Sequence, residues 1–306
     1  MRVAVVFPGQ GSQYVGMGRA LFEARPEARE IFALGEEITG LPLRELAFSG
    51  PEEALQRTEN LQPALTAVNL AVWAVLRAEG LRPVLVAGHS LGEFSALCAA
   101  GVLSPEDTFR LVRRRGELMA RAGETAPGAM YAVIGLERSR LEDLLSRVPG
   151  RVYLANHNSP EQSVISGEEE AACRAAEAAK EAGAKRVVRL PVSGAFHSPL
   201  MEEAAREFQR EIEAAAFRPA EIPVVLNVTA QAETDPEAIR EALSRQMLSA
   251  VRWVEGVEVM VRAGVELFVE AGPKKVLSGL IRRIAPQVRV VQVEGPEEIE
   301  NLLREL

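Results

Sequence analysis

Short apolar runs alternate along the chain with longer stretches of helical periodicity. Arg2–Phe7 is an apolar, β-branched run that predicts a buried strand, and it ends at the turn signal Pro8-Gly9-Gln10-Gly11. Helical periodicity then continues, with interruptions, to about Gly80. It is clearest over Pro63–Ala78, where Leu65, Val68, Val72, Val75 and Leu76 fall on one face. Val84–Ala87 predicts a second strand, and Leu91–Ala100 a helix closed by Gly101. Leu103–Ala122 reads as a further helix, with Ser104 as N-cap, Pro105 at the first helical position and Asp107 at the capping-box position.

From about Pro127 the rhythm changes. Strand-like Ala129–Gly135, Arg151–Asn156, Ser163–Ser166 and Lys185–Pro191 are interleaved with helical Ser139–Val148 and Glu168–Ala182. That order, β-α-β-β-α-β, is the ferredoxin-like unit. After Ser198 the α/β alternation resumes. A helix to about Ala216 and a strand Val224–Val228 are followed by helices near Pro236–Leu248 and Val251–Ala263. Strand Glu266–Val269, helix Pro273–Ile284, strand Val288–Val293 and a terminal helix complete the pattern. The predicted fold is α/β with a mostly parallel sheet. A large discontinuous domain, 1–125 and 193–306, is expected to carry an inserted ferredoxin-like subdomain at 126–192.

Composition narrows the classes. The 306 residues suit about two domains, or one with a large insertion. With 43 acidic against 35 basic side chains the net charge is −8, which disfavours general nucleic-acid binding. No run approaches the ~20 apolar residues of a membrane span, and Pro8-Gly9 interrupts the N-terminal run before a signal-peptide core develops. Cys98 and Cys173 are too few and too far apart for a disulfide framework or metal cage, and both read as buried helical thiols. The expectation is a cytoplasmic, metal-free protein.

Gly88-His89-Ser90-Leu91-Gly92 fits the nucleophile-elbow pattern, in which glycines let a sharp strand-to-helix turn bring other backbone close to the serine. The following helix offers free N–H groups, which makes the Leu91 amide a natural oxyanion donor. A serine nucleophile needs a base, and histidine is the usual one. His89 adjoins Ser90 and should point to the other side. His157, in the loop-like Asn156-His157-Asn158, and His197, in Gly194-Ala195-Phe196-His197-Ser198-Pro199, both remain candidates. His197 is favoured by its place at a domain junction, where clefts form. No aspartate between Ser90 and His197 has a clear triad setting, since Asp107 is a capping residue and Asp143 is helical. A Ser-His dyad would suffice for an activated substrate such as a thioester.

With these motifs the chain resembles bacterial malonyl-CoA:acyl carrier protein transacylases over essentially its whole length. The resemblance rests on Phe7-Pro8-Gly9-Gln10-Gly11-Ser12-Gln13, Gly88-His89-Ser90-Leu91-Gly92-Glu93, Arg115-Gly116 with Met119, Gly194-Ala195-Phe196-His197-Ser198, Asn227-Val228-Thr229 and Glu270-Ala271-Gly272-Pro273. It implies that Ser90 is the nucleophile, His197 the base, and the backbone amides of Gln10 and Leu91 the oxyanion hole. It further implies that Arg115 holds the malonyl carboxylate and that the Gln246 main-chain carbonyl orients His197 in place of an acid. By residue pattern alone Arg113-Arg114-Arg115 reads as a solvated helix face, whereas a planar guanidinium suits a carboxylate bidentately. Phe196 matches the malonyl-type form of its motif. Lys274 departs from the pattern, standing where glycine is expected.

The implied reaction passes the malonyl group from malonyl-CoA through a malonyl-serine ester to the phosphopantetheine thiol of acyl carrier protein, for fatty acid synthesis. It needs no metal or redox cofactor, and a monomer is expected. Carrier proteins of this kind are acidic, so local basic clusters would have to steer them. Candidates are Lys185-Arg186 with Arg189, Lys274-Lys275 and Arg282-Arg283. The competing readings are a serine hydrolase using the same elbow, a stand-alone acyltransferase serving a polyketide synthase, and a non-catalytic carrier-binding module.

Overall fold

In the computed structural model, which describes residues 1–306, strand β1 (Val3–Phe7) divides its side chains between two cores. Val3, Val5 and Phe7 enter the main hydrophobic cluster, while Ala4 and Val6 enter a second cluster on the other face. That period of two, with both faces apolar, is what a strand covered by helices on either side requires.

Eleven strands form two sheets. The others, in chain order, are β2 (Leu85–Gly88), β3 (Gly128–Ile134), β4 (Val152–Ser159), β5 (Gln162–Glu168), β6 (Arg186–Arg189), β7 (Val224–Val225), β8 (Ala232–Glu233), β9 (Val251–Arg252), β10 (Leu267–Ala271) and β11 (Arg289–Val293). The larger sheet has the order β11-β10-β1-β2-β7-β8, parallel except for the β7–β8 pair. The smaller has the order β6-β3-β5-β4-β9, in which β3 to β6 are antiparallel and β9 joins β4 in parallel. The chain is therefore a mixed α/β protein.

Three expectations are corrected. Val251–Arg252 is a strand, and the helix begins only at Trp253; this segment adds a fifth strand to the small sheet from outside 126–192. His157 lies within β4 rather than in a loop, with its ring on Glu255. Cys173 is exposed on its helix, and Cys98 is only partly covered.

Helix Thr58–Ala78 runs through the main core. By length and composition it could cross a membrane, yet 83% of its apolar window is buried within the protein. Pro63 lies inside it and cannot donate to the Glu59 carbonyl one turn back. That carbonyl instead accepts from Arg113 Nη1 at 3.3 Å. The donor belongs to helix Pro105–Thr125, whose N-cap Ser104 accepts from the Asp107 amide. A Cβ on Gly116 would come within 2.9 Å of the Thr58 carbonyl oxygen, so glycine permits the close crossing of these two long helices. Arg115 is thereby carried into the interior beside Gln62.

Glu270, at the end of β10, accepts from the Leu277 and Ser278 amides and from the Ser278 hydroxyl, which ties it to helix Val276–Ile284. Lys274 in the intervening loop has φ +62°. This left-handed conformation costs a side-chain-bearing residue about 1 kcal/mol, partly offset in a glycine variant by the greater freedom of its unfolded chain. Lys274→Gly is expected to stabilise by about 0.5 kcal/mol and raise the melting temperature by about 1 °C. Scanning calorimetry checks this, and a lowered melting temperature would contradict it.

Candidate active site

The β2-to-helix turn puts Ser90 at φ +51°, a strained position for a non-glycine residue. The flanking glycines are obligatory by contact. A Cβ on Gly88 would meet the Gly92 backbone at 2.0 Å, and one on Gly92 would meet the Phe7 carbonyl oxygen at 2.1 Å. The turn is held by Asn227, whose Oδ1 accepts from the Ser90 amide and whose Nδ2 donates to the Gly88 carbonyl, each at 2.7 Å.

Ser90 Oγ lies 2.7 Å from His197 Nε2. His197 Nδ1 lies 3.1 Å from the Gln246 carbonyl oxygen and 3.2 Å from that of Ser249. Carbonyl oxygens only accept, so Nδ1 carries the proton and Nε2 presents its lone pair to the serine hydroxyl. Burial, reinforced by the positive charge of Arg115, pushes the His197 imidazole down to about 3. The other two histidines are engaged elsewhere. His89 Nε2 is 2.7 Å from Asn158 Oδ1 of β4, and its ring packs against Trp253; His157 is on Glu255.

Gly9 lies against the elbow. A Cβ there would come within 2.3 Å of the His89 carbonyl oxygen and 3.6 Å of the Leu91 nitrogen. The turn that carries Gln10 is thus laid beside the start of helix Gly92–Ala99. The amides of Gln10 and Leu91 donate to no acceptor within the protein. Asn69, which donates to the Pro8 carbonyl at 3.0 Å, anchors this loop from the core helix.

Arg115 is not the solvated residue that its run of arginines suggests. It is 1% exposed, with Nη1 on Gln62 Oε1 at 3.0 Å and Nη2 on Gln246 Oε1 at 3.0 Å and on Ser90 Oγ at 3.3 Å. Its guanidinium sits over the Phe94 ring, and Nε donates to nothing in the protein. Desolvation brings its pKa down to about 10, which leaves it charged at neutral pH. A buried cation with no carboxylate in contact and an orphaned N–H can receive an anion. An anion held at Nη2 would lie beside Ser90 Oγ.

Sequence reasoning had no role for Gln62, for the Gln246 side chain or for Glu93. Asn227 and Glu93 lie in sequence motifs that carry no sign of these contacts. Of the basic clusters, Arg189 pairs with Glu169 and Lys185 with Glu161, while Arg282 and Arg283 bond to the Val290 carbonyl and to Gln162. Lys274 and Lys275 are exposed.

A serine and a neutral histidine in contact, two free amides and a buried cation describe a site for acyl transfer. The chain belongs to the acyl transferase family, whose domain model matches residues 4–295. Within that family it is similar to malonyl CoA-acyl carrier protein transacylases. That of Bacillus subtilis is 42% identical over all of this chain and 97% of the relative. That of Staphylococcus aureus strain MW2 is 41% identical over 98% of each. Among solved structures, an acyl carrier protein S-malonyltransferase from Vibrio cholerae superposes with TM-score 0.95 at 44% identity, covering 99% of this chain and all of that one. A malonyl-transacylase solved in complex with its type II PKS acyl-carrier protein gives TM-score 0.97 at 42% identity over the full length of both.

Proposed function

We propose that this acyltransferase moves the malonyl group from malonyl-CoA to the phosphopantetheine thiol of an acyl carrier protein, by a ping-pong route through a malonyl ester on Ser90. The observation that carries the reading is the contact of buried, carboxylate-free Arg115 with the hydroxyl that His197 also touches. In a malonyl group one methylene separates the carboxylate from the thioester carbonyl. A cation one hydrogen bond from the nucleophile therefore suits a short diacid.

His197 Nε2 takes the hydroxyl proton as Ser90 Oγ bonds to the thioester carbon. The carbonyl oxygen gains the negative charge and receives the Gln10 and Leu91 N–H groups; each such donor contributes about 10²–10³ in rate. The intermediate collapses, the C–S bond breaks, and the proton on Nε2 passes to the departing CoA sulfur. In the second half the carrier thiol gives its proton to His197 and attacks the ester, and Ser90 Oγ leaves with that proton. One thioester is exchanged for another, so neither metal nor redox cofactor has a step to perform. The Gln246 carbonyl does the work of the missing triad acid by holding the productive tautomer.

In this reading the larger sheet and elbow form a hydrolase-like core, 1–125 and 193–306, and 126–192 is a ferredoxin-like insertion, supported by the order β6-β3-β5-β4. The enzyme acts as a cytoplasmic monomer in fatty acid synthesis, with exposed Arg186, Lys274, Lys275, Arg282 and Arg283 free of ion pairs to meet an acidic carrier.

The test is partition of the malonyl group. With malonyl-CoA and holo-carrier protein, malonyl-carrier is the expected product, with little free malonate; release of malonate at the same rate with and without carrier would mean a hydrolase. A second expectation concerns pH. Because the His197 imidazole stays neutral well below its ordinary 6.5, the base remains competent as pH falls through that value. Sulfonylation of Ser90 by the uncharged reagent phenylmethanesulfonyl fluoride should show no acidic limb near 6.5 when followed from about pH 5 to 8. A limb centred there would contradict the assignment.

A further inference from the structure

We propose that Glu93 is a positioning residue for the acyl-carboxylate site, holding the Gln246 side-chain amide in the one orientation that presents an oxygen to Arg115. The inference rests on the reading of Arg115 as the carboxylate clamp.

Glu93 is 2% exposed, in the first turn of the helix that follows the elbow. One oxygen, Oε1, accepts the Asn227 amide at 2.7 Å; the other accepts the Gln246 Nε2 amide. That Nε2 group also donates to the Ser90 carbonyl at 3.0 Å. Gln246 Oε1 is left facing Arg115 Nη2 at 3.0 Å. Above about pH 7, where Glu93 is ionised, its carboxylate can only accept, so the NH₂ end of Gln246 faces it. The opposite orientation would set oxygen against carboxylate and NH₂ against guanidinium. Glu93, with the Ser90 carbonyl that the same NH₂ reaches, sets which end of the amide Arg115 sees.

The same carboxylate is the charge whose field reaches the Arg115 guanidinium, although the two form no ion pair. Burial pushes Glu93 up to about 7, against the opposing donors Asn227 and Gln246 and the charge of Arg115. An aligned but uncontacted carboxylate leaves Arg115 free to take an incoming one. A carboxylate in direct contact would compete with the substrate.

Glu93→Gln separates these effects. Asn227 demands an acceptor from residue 93, which turns the new NH₂ toward Gln246. Gln246 is then left with its NH₂ against another NH₂, or flips and leaves Arg115 facing a donor and the Ser90 carbonyl without one; either way the amide is no longer held as Glu93 holds it. The experiment measures loading of Ser90 from malonyl-CoA and, separately, sulfonylation of Ser90 by phenylmethanesulfonyl fluoride, in the wild type, Glu93→Gln and Arg115→Ala. Glu93→Gln should lower kcat/KM for malonyl loading about 10- to 100-fold, mainly through KM, with sulfonylation within about twofold of wild type. Equal losses in both reactions, or no loss of malonyl loading, would overturn the proposal. Arg115→Ala reports on the underlying reading. If it fails to lower malonyl loading selectively, the clamp itself is wrong; if it does so and Glu93→Gln does not, only the role of Glu93 falls. Should Glu93→Gln not fold, Gln246→Met cuts the same link from the other end. It must lower the ratio of malonyl loading to sulfonylation by a similar factor, and an unchanged ratio overturns the proposal.

Discussion

Ser90→Ala is expected to lower malonyl transfer by about 10⁴-fold or more and to leave the protein unable to carry an acyl group. The size follows from the arrangement. His197 Nε2 has its single acceptor position on the Ser90 hydroxyl at 2.7 Å, and no other hydroxyl or thiol is bonded to it. Both cysteines are elsewhere, Cys98 on the helix after the elbow and Cys173 exposed on helix Glu169–Glu181. The fold should survive, since alanine removes one oxygen and the turn is held through the Ser90 backbone by Asn227. Transfer to holo-carrier protein and the melting temperature, measured together, check both halves. A folded Ser90→Ala protein that still transfers at more than about a hundredth of the wild-type rate would show that the acyl group does not pass through this serine.

The second large effect is on selectivity. Arg115→Ala is expected to lower kcat/KM for malonyl-CoA by about 10³–10⁴-fold while leaving the low rate with acetyl-CoA within about tenfold. In the wild type an acetyl group would leave the buried guanidinium without an anion, and such unpaired polar sites discriminate strongly. Removing the guanidinium removes both the attraction for malonyl and the penalty for acetyl. Arg115→Lys should restore little, because an ammonium cannot span Gln62, Gln246 and a carboxylate together. Equal losses for the two acyl groups would mean that Arg115 supports the site without reading the substrate.

Much of this site is written locally in the chain, and the remainder is not. The elbow is legible because its demands are local. Glycines two residues either side of a serine, after a β-branched run and before a helix, answer to contacts at 2.0 and 2.1 Å that no side chain could survive. The longer strands of the larger sheet are legible for a similar reason, because β1 and β10 are buried on both faces, whereas two-residue β8 is not. Arg115 lies on the buried stripe of its helix with Leu111, Val112, Leu118 and Met119, but the run of three arginines masks that position. Its neighbours Arg113 and Arg114 are paired with glutamates at the surface. The polar network beneath Arg115 joins Gln62, Glu93, Asn227 and Gln246, whose partners lie 53 to 156 residues apart. No window of sequence holds such a pattern. Strand β9 escapes notice because two residues carry no periodicity, and the helix that follows it masks them.

The central claim is that Ser90 carries the malonyl group between two thiols. The most direct measurement is intact-protein mass spectrometry after brief mixing with malonyl-CoA, with a parallel sample in acetyl-CoA. One malonyl group on Ser90, discharged quickly by holo-carrier protein and slowly by water, with little acetyl adduct, is the predicted result. Unmodified protein accompanied by rapid appearance of malonyl-carrier would contradict it, because the group would then move directly from one thiol to the other.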